Sequence, residues 1–126
     1  MPALPQSVSE GWDNRKGPAV LTTVDADGIP NAIYVGCLKK FSEDKLVVAD
    51  NFFNKTRANI LAGCKGSILF MTNEGKAFQV KGTIERQTSG EIFDDMKTGW
   101  LNEKFPGHAA AVLNVEEVHS GAEKLL

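Results

Sequence analysis

Short runs of β-branched and apolar residues, each cut off by a turn-forming cluster, recur along most of this chain and leave room for little besides a sheet. Ala19-Val20-Leu21-Thr22-Thr23-Val24 is stopped by Asp25-Ala26-Asp27-Gly28. Ile29, Asn31, Ile33, Val35 and Cys37 then alternate with Pro30, Ala32, Tyr34, Gly36 and Leu38, the period-two pattern of one long strand with Pro30 at its start. Ser42-Glu43-Asp44-Lys45 turns the chain into Leu46-Val47-Val48-Ala49, so these three runs predict an antiparallel meander. Residues 66–72 and 77–86, joined across Asn73-Glu74-Gly75-Lys76, predict a hairpin, and residues 109–118 a sixth strand.

Short helices punctuate the strands. Ser7-Val8-Ser9-Glu10 has capping-box spacing and predicts a helix over about 8–16 that ends at Gly17-Pro18. Thr56 as N-cap and Gly63 as stop predict a second. A third opens at Thr88-Ser89-Gly90-Glu91, carries Ile92, Met96 and Trp100 as an apolar stripe, and is closed by Pro106-Gly107. No repeat or linker divides residues 1–126, so the expectation is one mainly β domain. Six antiparallel strands in so short a chain predict a closed or nearly closed barrel, because closure leaves fewer unpaired strand edges.

Composition narrows the function. With 42% hydrophobic and 24% charged residues the chain can bury a core. Fourteen Lys and Arg against sixteen Asp and Glu give 14 − 16 = −2, which argues against a nucleic-acid partner. The longest apolar runs, such as 109–113, are too short for a bilayer helix. Met1-Pro2-Ala3-Leu4-Pro5-Gln6 lacks a charged-then-apolar leader, so a cytoplasmic protein is expected. Cys37 and Cys64 are not spaced as a CxxC pair and His108 and His119 lie far from both, so the cysteines are expected as small buried apolar residues and no metal site is expected.

The stretch Ala49-Asp50-Asn51-Phe52-Phe53-Asn54-Lys55-Thr56 is the most informative one. A strand ends there, a helix begins, and a lysine and a hydroxyl stand at the junction, a combination suited to one phosphate group. The plainer alternative makes Thr56 an N-cap and Lys55 a solvated charge. Asp50 and Asn51 offer polar groups to a heterocycle close by. Asn31 is an unusual mid-strand residue unless its side chain has a partner, and Tyr34 suits either a stacked ring or an interface. Gln79 and Lys81 share one face of the fifth strand, facing either a polar site or solvent; Trp100 either packs or covers a ring. No GxGxxG, Walker loop, GxSxG elbow or HExxH occurs, so any redox or transfer chemistry falls to a cofactor.

At Val48-Ala49-Asp50-Asn51-Phe52-Phe53-Asn54-Lys55-Thr56-Arg57-Ala58-Asn59-Ile60 the sequence resembles the pyridoxamine 5′-phosphate oxidase-related, FMN-binding split barrels. It is most similar to the small single-domain FMN-binding members, and the order of elements matches over nearly the whole chain. The resemblance implies a six-stranded antiparallel split barrel and a homodimer with FMN between the subunits. It implies that Lys55 and Thr56 hold the flavin phosphate, that Asn31, Ala32, Ile33 and Tyr34 line the ribityl chain and one ring face, and that Ala49, Asp50 and Asn51 meet the ring edge. Gln79 would also face the flavin, and Trp100 would reach it from the partner subunit. No catalytic acid or base is implied. The expected activity is that of an oxidoreductase or electron carrier acting on an unassigned redox partner or small molecule, with a non-catalytic flavin- or haem-binding barrel as the alternative. Only Arg15, Arg57 and Arg86 are arginines, so the arginine-rich substrate site of the longer vitamin B6 oxidases is not matched.

Overall fold

The alternating stretch between residues 29 and 38 folds as two strands, and the break between them shapes the sheet. In the computed structural model, which describes residues 2–126, β1 (Ala19–Val24) pairs with β2 (Pro30–Val35) across the expected turn. β3 (Leu38–Ser42) follows after only Gly36 and Cys37 and pairs with β4 (Lys45–Asp50). β5 (Lys65–Met71), β6 (Ala77–Gln87) and β7 (Ala109–Ser120) complete the ladder, and a two-residue β8 (Glu123–Lys124) lies against β7. The strand order is β2-β1-β5-β6-β7-β4-β3, antiparallel throughout. The two edge strands are thus neighbours in sequence. Three Cα steps reach about 11 Å at most, so the sheet curls until its edges nearly meet. This is the antiparallel split barrel expected from the sequence, with eight strands in place of six. The division at Gly36-Cys37 and the short β8 account for the difference.

Alternation sorts the side chains as the pleat requires. Leu21, Ile68, Phe70, Val80, Ile84, Leu113 and Val118 fill the interior. One end of the barrel is covered by α1 (Gln6–Asp13), which buries Val8 and Trp12; the Trp12 ring meets Phe70 edge-on at 5.1 Å. The helix begins earlier than the capping-box spacing predicts. Pro5 is its N-cap, and its carbonyl accepts from the amides of Val8 and Ser9. Glu10 accepts from the side chain of Gln6, one turn back, and Ser7 caps nothing. The helix also stops earlier, at Asp13, because Asn14 is taken up by Glu74 and Asn73 of the β5–β6 turn.

The other end is covered by α2 (Lys55–Leu61), which touches β1, β2 and β6. The third helix, α3 (Glu91–Asp94), widens at once into a π-helical turn (Asp95–Trp100), where Leu101 N–H donates to the Met96 carbonyl at 3.0 Å. It therefore ends at Trp100, before Pro106-Gly107. Ile92, Met96 and Leu101 pack on Val47, Ala110 and Val112, with Trp100 half-buried at the margin. This second apolar layer covers the outside of β4 and β7, so β7 is buried on both faces from Ala109 to Leu113.

β7 carries one bulge, at Glu116: Lys81 pairs with Glu117 while Gly82 pairs with Val115. A Cβ on Gly82 would overlap the Asn114 carbonyl oxygen and stand 2.8 Å from its carbon, whereas one on Gly36 would meet nothing within 4 Å. Gly82→Ala is therefore expected to cost about 3 kcal/mol in denaturant unfolding, near the upper end for overpacking, and Gly36→Ala less than about 0.5 kcal/mol. Equal losses would show that the bulge yields.

Candidate functional site

Five segments converge where β4 ends and α2 begins, and Asp50 joins them. Its carboxylate, with the side chain 1% exposed, accepts from Arg57 Nε (2.8 Å) and Nη2 (2.9 Å), from Arg86 Nε of β6 at 3.4 Å, and from the Phe53 amide at 3.2 Å. Its backbone carbonyl takes the His108 amide at 2.8 Å. Burial opposes ionisation of Asp50, but the hydrogen bonds of Arg57 and Phe53 and the two guanidinium charges outweigh it, holding the carboxyl below its usual range. The same pairing raises Arg57 above its ordinary value.

Beside this ion pair α2 presents a polar face to the barrel. Asn59 Nδ2 donates to Thr23 Oγ1 and Asn31 Nδ2 to Thr56 Oγ1, each at 3.0 Å, and Thr23, Thr56 and Asn59 are buried. Asn31 thus has the partner that a mid-strand Asn calls for. Thr56 is not the N-cap. The helix starts two residues sooner, with Asn54 at the cap position and no side-chain cap bond. Lys55 points outward, 54% exposed, with Nζ 3.4 Å from Asp25 Oδ2 of the β1–β2 turn.

From this corner β2 leads along its free edge into a cleft of about 360 Å³. Residues 33–37 form one wall, Ala49, Asn51, Phe52 and Phe53 the other, and Phe105 closes one side. None of the lining residues is charged. Asn51 Oδ1 accepts from the Gly107 amide at 3.0 Å, which leaves the side-chain NH2 as a donor. Asn31 and Val35 lie four steps apart on β2, about 14 Å at strand rise, so the corner and the cleft are two ends of one path.

The expected residues divide accordingly. Ile33, Tyr34, Ala49 and Asn51 line the cleft, and Asn31, Lys55 and Thr56 form the corner. The Asp50 carboxylate lies beneath, committed to the arginines. Ala32 is exposed on the outer face of β2, opposite Thr22. Gln79 lies on that outer face too, in the lateral row Tyr34–Val20–Leu69–Gln79, three strands or about 14 Å from Tyr34. Trp100 lines a neighbouring hollow that shares Gly36 and Cys37 with the cleft. Cys37 and Cys64 are half-buried, less enclosed than expected. Asp25, Arg57, Arg86 and Phe105 are not singled out by the sequence, since their partners stand far along the chain or, for Arg57, across the loop between β4 and α2. Among the described residues no cluster of three His, Cys, Asp or Glu is placed to hold a metal ion, and no helix is long and apolar enough to cross a membrane.

The sequence pattern of the pyridoxamine 5′-phosphate oxidase family matches residues 11–124. An uncharacterised protein of Methanocaldococcus jannaschii is 34% identical over 105 residues, covering 79% of this chain and 70% of that one. HupZ of Group A Streptococcus has a solved structure with a TM-score of 0.77 to this chain at 25% identity, covering 93% of each. An FMN-binding protein from Syntrophomonas wolfei shares the fold, with a TM-score of 0.69 at 21% identity over 90% of this chain and 94% of that one.

The Asp50 carboxyl titrates lower in the folded chain than in the unfolded one, where an Asp titrates at about 3.9. The stability it contributes is therefore complete above that value and lost as pH falls through it towards the folded value. Asp50→Asn is expected to cost about 3 kcal/mol at neutral pH, because it leaves two guanidiniums facing one another without their counter-ion, and to flatten part of the acid loss. Denaturant unfolding at neutral and acid pH measures both, and a variant as stable as the wild type at neutrality would make the pairing incidental.

Proposed function

The chain belongs to the pyridoxamine 5′-phosphate oxidase family, and on that premise we propose that it is an FMN-binding flavoprotein, an oxidoreductase or electron carrier that works as a homodimer. The observation that carries this reading is the path along β2. A cation and a hydroxyl stand at one end and an uncharged, aromatic-walled cleft at the other, in the order of phosphate, ribityl chain and ring in the flavin nucleotide.

The donor set fits such a group. Lys55 and Thr56 would hold the phosphate, Asn31 and Ile33 would follow the ribityl chain, and Tyr34, Ala49 and Phe52 would border the ring. The Asn51 amide, oriented by Gly107, would donate to the ring edge. When bound, FMN supplies the hydride or electron transfer. The chain's own share is to neutralise the phosphate, fix the ring and exclude water with Phe52, Phe53 and Phe105.

Gln79 and Trp100 lie outside this cleft within one subunit, so they would reach a flavin only across a subunit interface. The exposed Tyr34 and Leu69, in one row across Val20, and the exposed Met71 two residues further along β5 favour a second copy on that side of the sheet. Oxidation of a phosphorylated B6 vitamer is disfavoured. Arg57 and Arg86 are held by Asp50, and Arg15 lies 4.2 Å above the Trp12 ring, far from the corner.

The purified protein is expected to keep flavin absorption bands after desalting, and Lys55→Ala to weaken FMN about tenfold to a hundredfold, the worth of one charged hydrogen bond, with riboflavin little changed. FMN should also raise the melting temperature of the dimer. A single Soret band, or equal weakening of FMN and riboflavin, would overturn the assignment.

A further inference from the structure

The β1–β2 hairpin is fastened to α2 at three points of different character. Two are the bonds from Asn59 to Thr23 and from Asn31 to Thr56, at 3.0 Å each, in which Thr23, Thr56 and Asn59 are buried. They fix the hairpin against the helix. The third is the ion pair of Lys55 and Asp25, 3.4 Å apart, whose lysine is 54% exposed. It alone can exchange partners without moving either element.

Asp25 itself is locked. Its Oδ1 accepts from the amides of Asp27 and Ile29, both at 2.9 Å, and Gly28, at φ +81°, closes the turn above it. Oδ2 is left turned towards the ammonium. The Ile29 amide first, against the opposing effect of burial, and then the Asp27 amide and Lys55 keep the carboxyl below its usual range. It is therefore ionised throughout the neutral region. The charges at the corner add accordingly. Lys55 with Asp25 gives zero, and Arg57 and Arg86 with Asp50 give +1. An anion arriving at Lys55 meets an ammonium that is already paired and a carboxylate that cannot withdraw.

We infer that Asp25 is the internal counter-ion of this corner, which holds Lys55 while the corner is empty and competes with the ligand's phosphate for it. The inference rests on the reading of Lys55 as the flavin phosphate contact. A dianionic phosphate monoester draws the lysine away from a carboxylate, whereas a neutral ligand leaves the pair intact. Asp25 thus sets the affinity for the charged tail and leaves the affinity for the ring alone.

Asp25→Asn removes the charge and keeps an oxygen for the turn amides; Asp25→Ser is a second turn-compatible variant should the first fold poorly. Binding of FMN and of riboflavin to each variant is measured by flavin fluorescence quenching. The expected result is FMN bound about two- to fivefold tighter, the scale of one screened surface ion pair, with riboflavin unchanged. FMN bound no tighter, or riboflavin tightened equally, overturns the role of Asp25. A wild-type chain that takes up neither flavin overturns the flavin reading and this inference with it, whereas a wild type that binds FMN while Asp25→Asn gains nothing overturns this inference alone.

Discussion

Two residues of covalent chain, Gly36 and Cys37, do for this sheet what a ladder of hydrogen bonds does in a fully closed barrel. They tie β2 to β3, the strands at opposite ends of the sheet order. A link that short forces the sheet to curl, yet it supplies no strand-to-strand pairing along the seam. The seam therefore stays open, and its walls are the edge of β2 and the residues just past β4. The cleft is a direct product of the closure. Any lengthening of this link would relax the curl and separate the two walls.

Once the seam exists, something must fix the loop that forms its second wall. Asp50 does so by taking the Phe53 amide, the two arginines and, through its carbonyl, the His108 amide. Asn51 adds the Gly107 amide. Burying a charge is costly on its own, and here every oxygen of the carboxylate is used, the condition under which a buried polar cluster rigidifies its surroundings. The contrast with α3 is instructive. That helix is held by apolar packing against β4 and β7, which fixes distance but is tolerant of sliding. The polar face of α2 fixes register as well, since Asn31 meets Thr56 and Asn59 meets Thr23 in one arrangement only.

Much of this was legible in the chain. β1 falls at its predicted bounds, Phe78, Val80, Gly82 and Ile84 share the buried face of β6 as alternation requires, and the junction at residues 49–56 does sit where strand gives way to helix. The break at Gly36-Cys37 was not legible, because apolar alternation continues through it and the cause is closure of the sheet, which no local window contains. The capping box at Ser7 failed for a local reason at its start and a distant one at its end. Pro5 and its carbonyl offered an earlier start, and Asn14 was claimed by a distant turn. At the site, residue types were readable but their pairings were not. Asp50 reads as a ligand-facing group until Arg86, 36 residues later, folds against it.

The open edge of β2 has a consequence for the life of the chain before it is complete. An unpaired strand edge is a template on which another polypeptide can add itself, the first step of aggregation. Pro30 blunts the start of this edge, since it has no amide proton to offer, but the stretch from Asn31 to Val35 has no such protection of its own. Whatever occupies the seam also removes that template. Filling the groove and covering this strand edge are, for this fold, a single event.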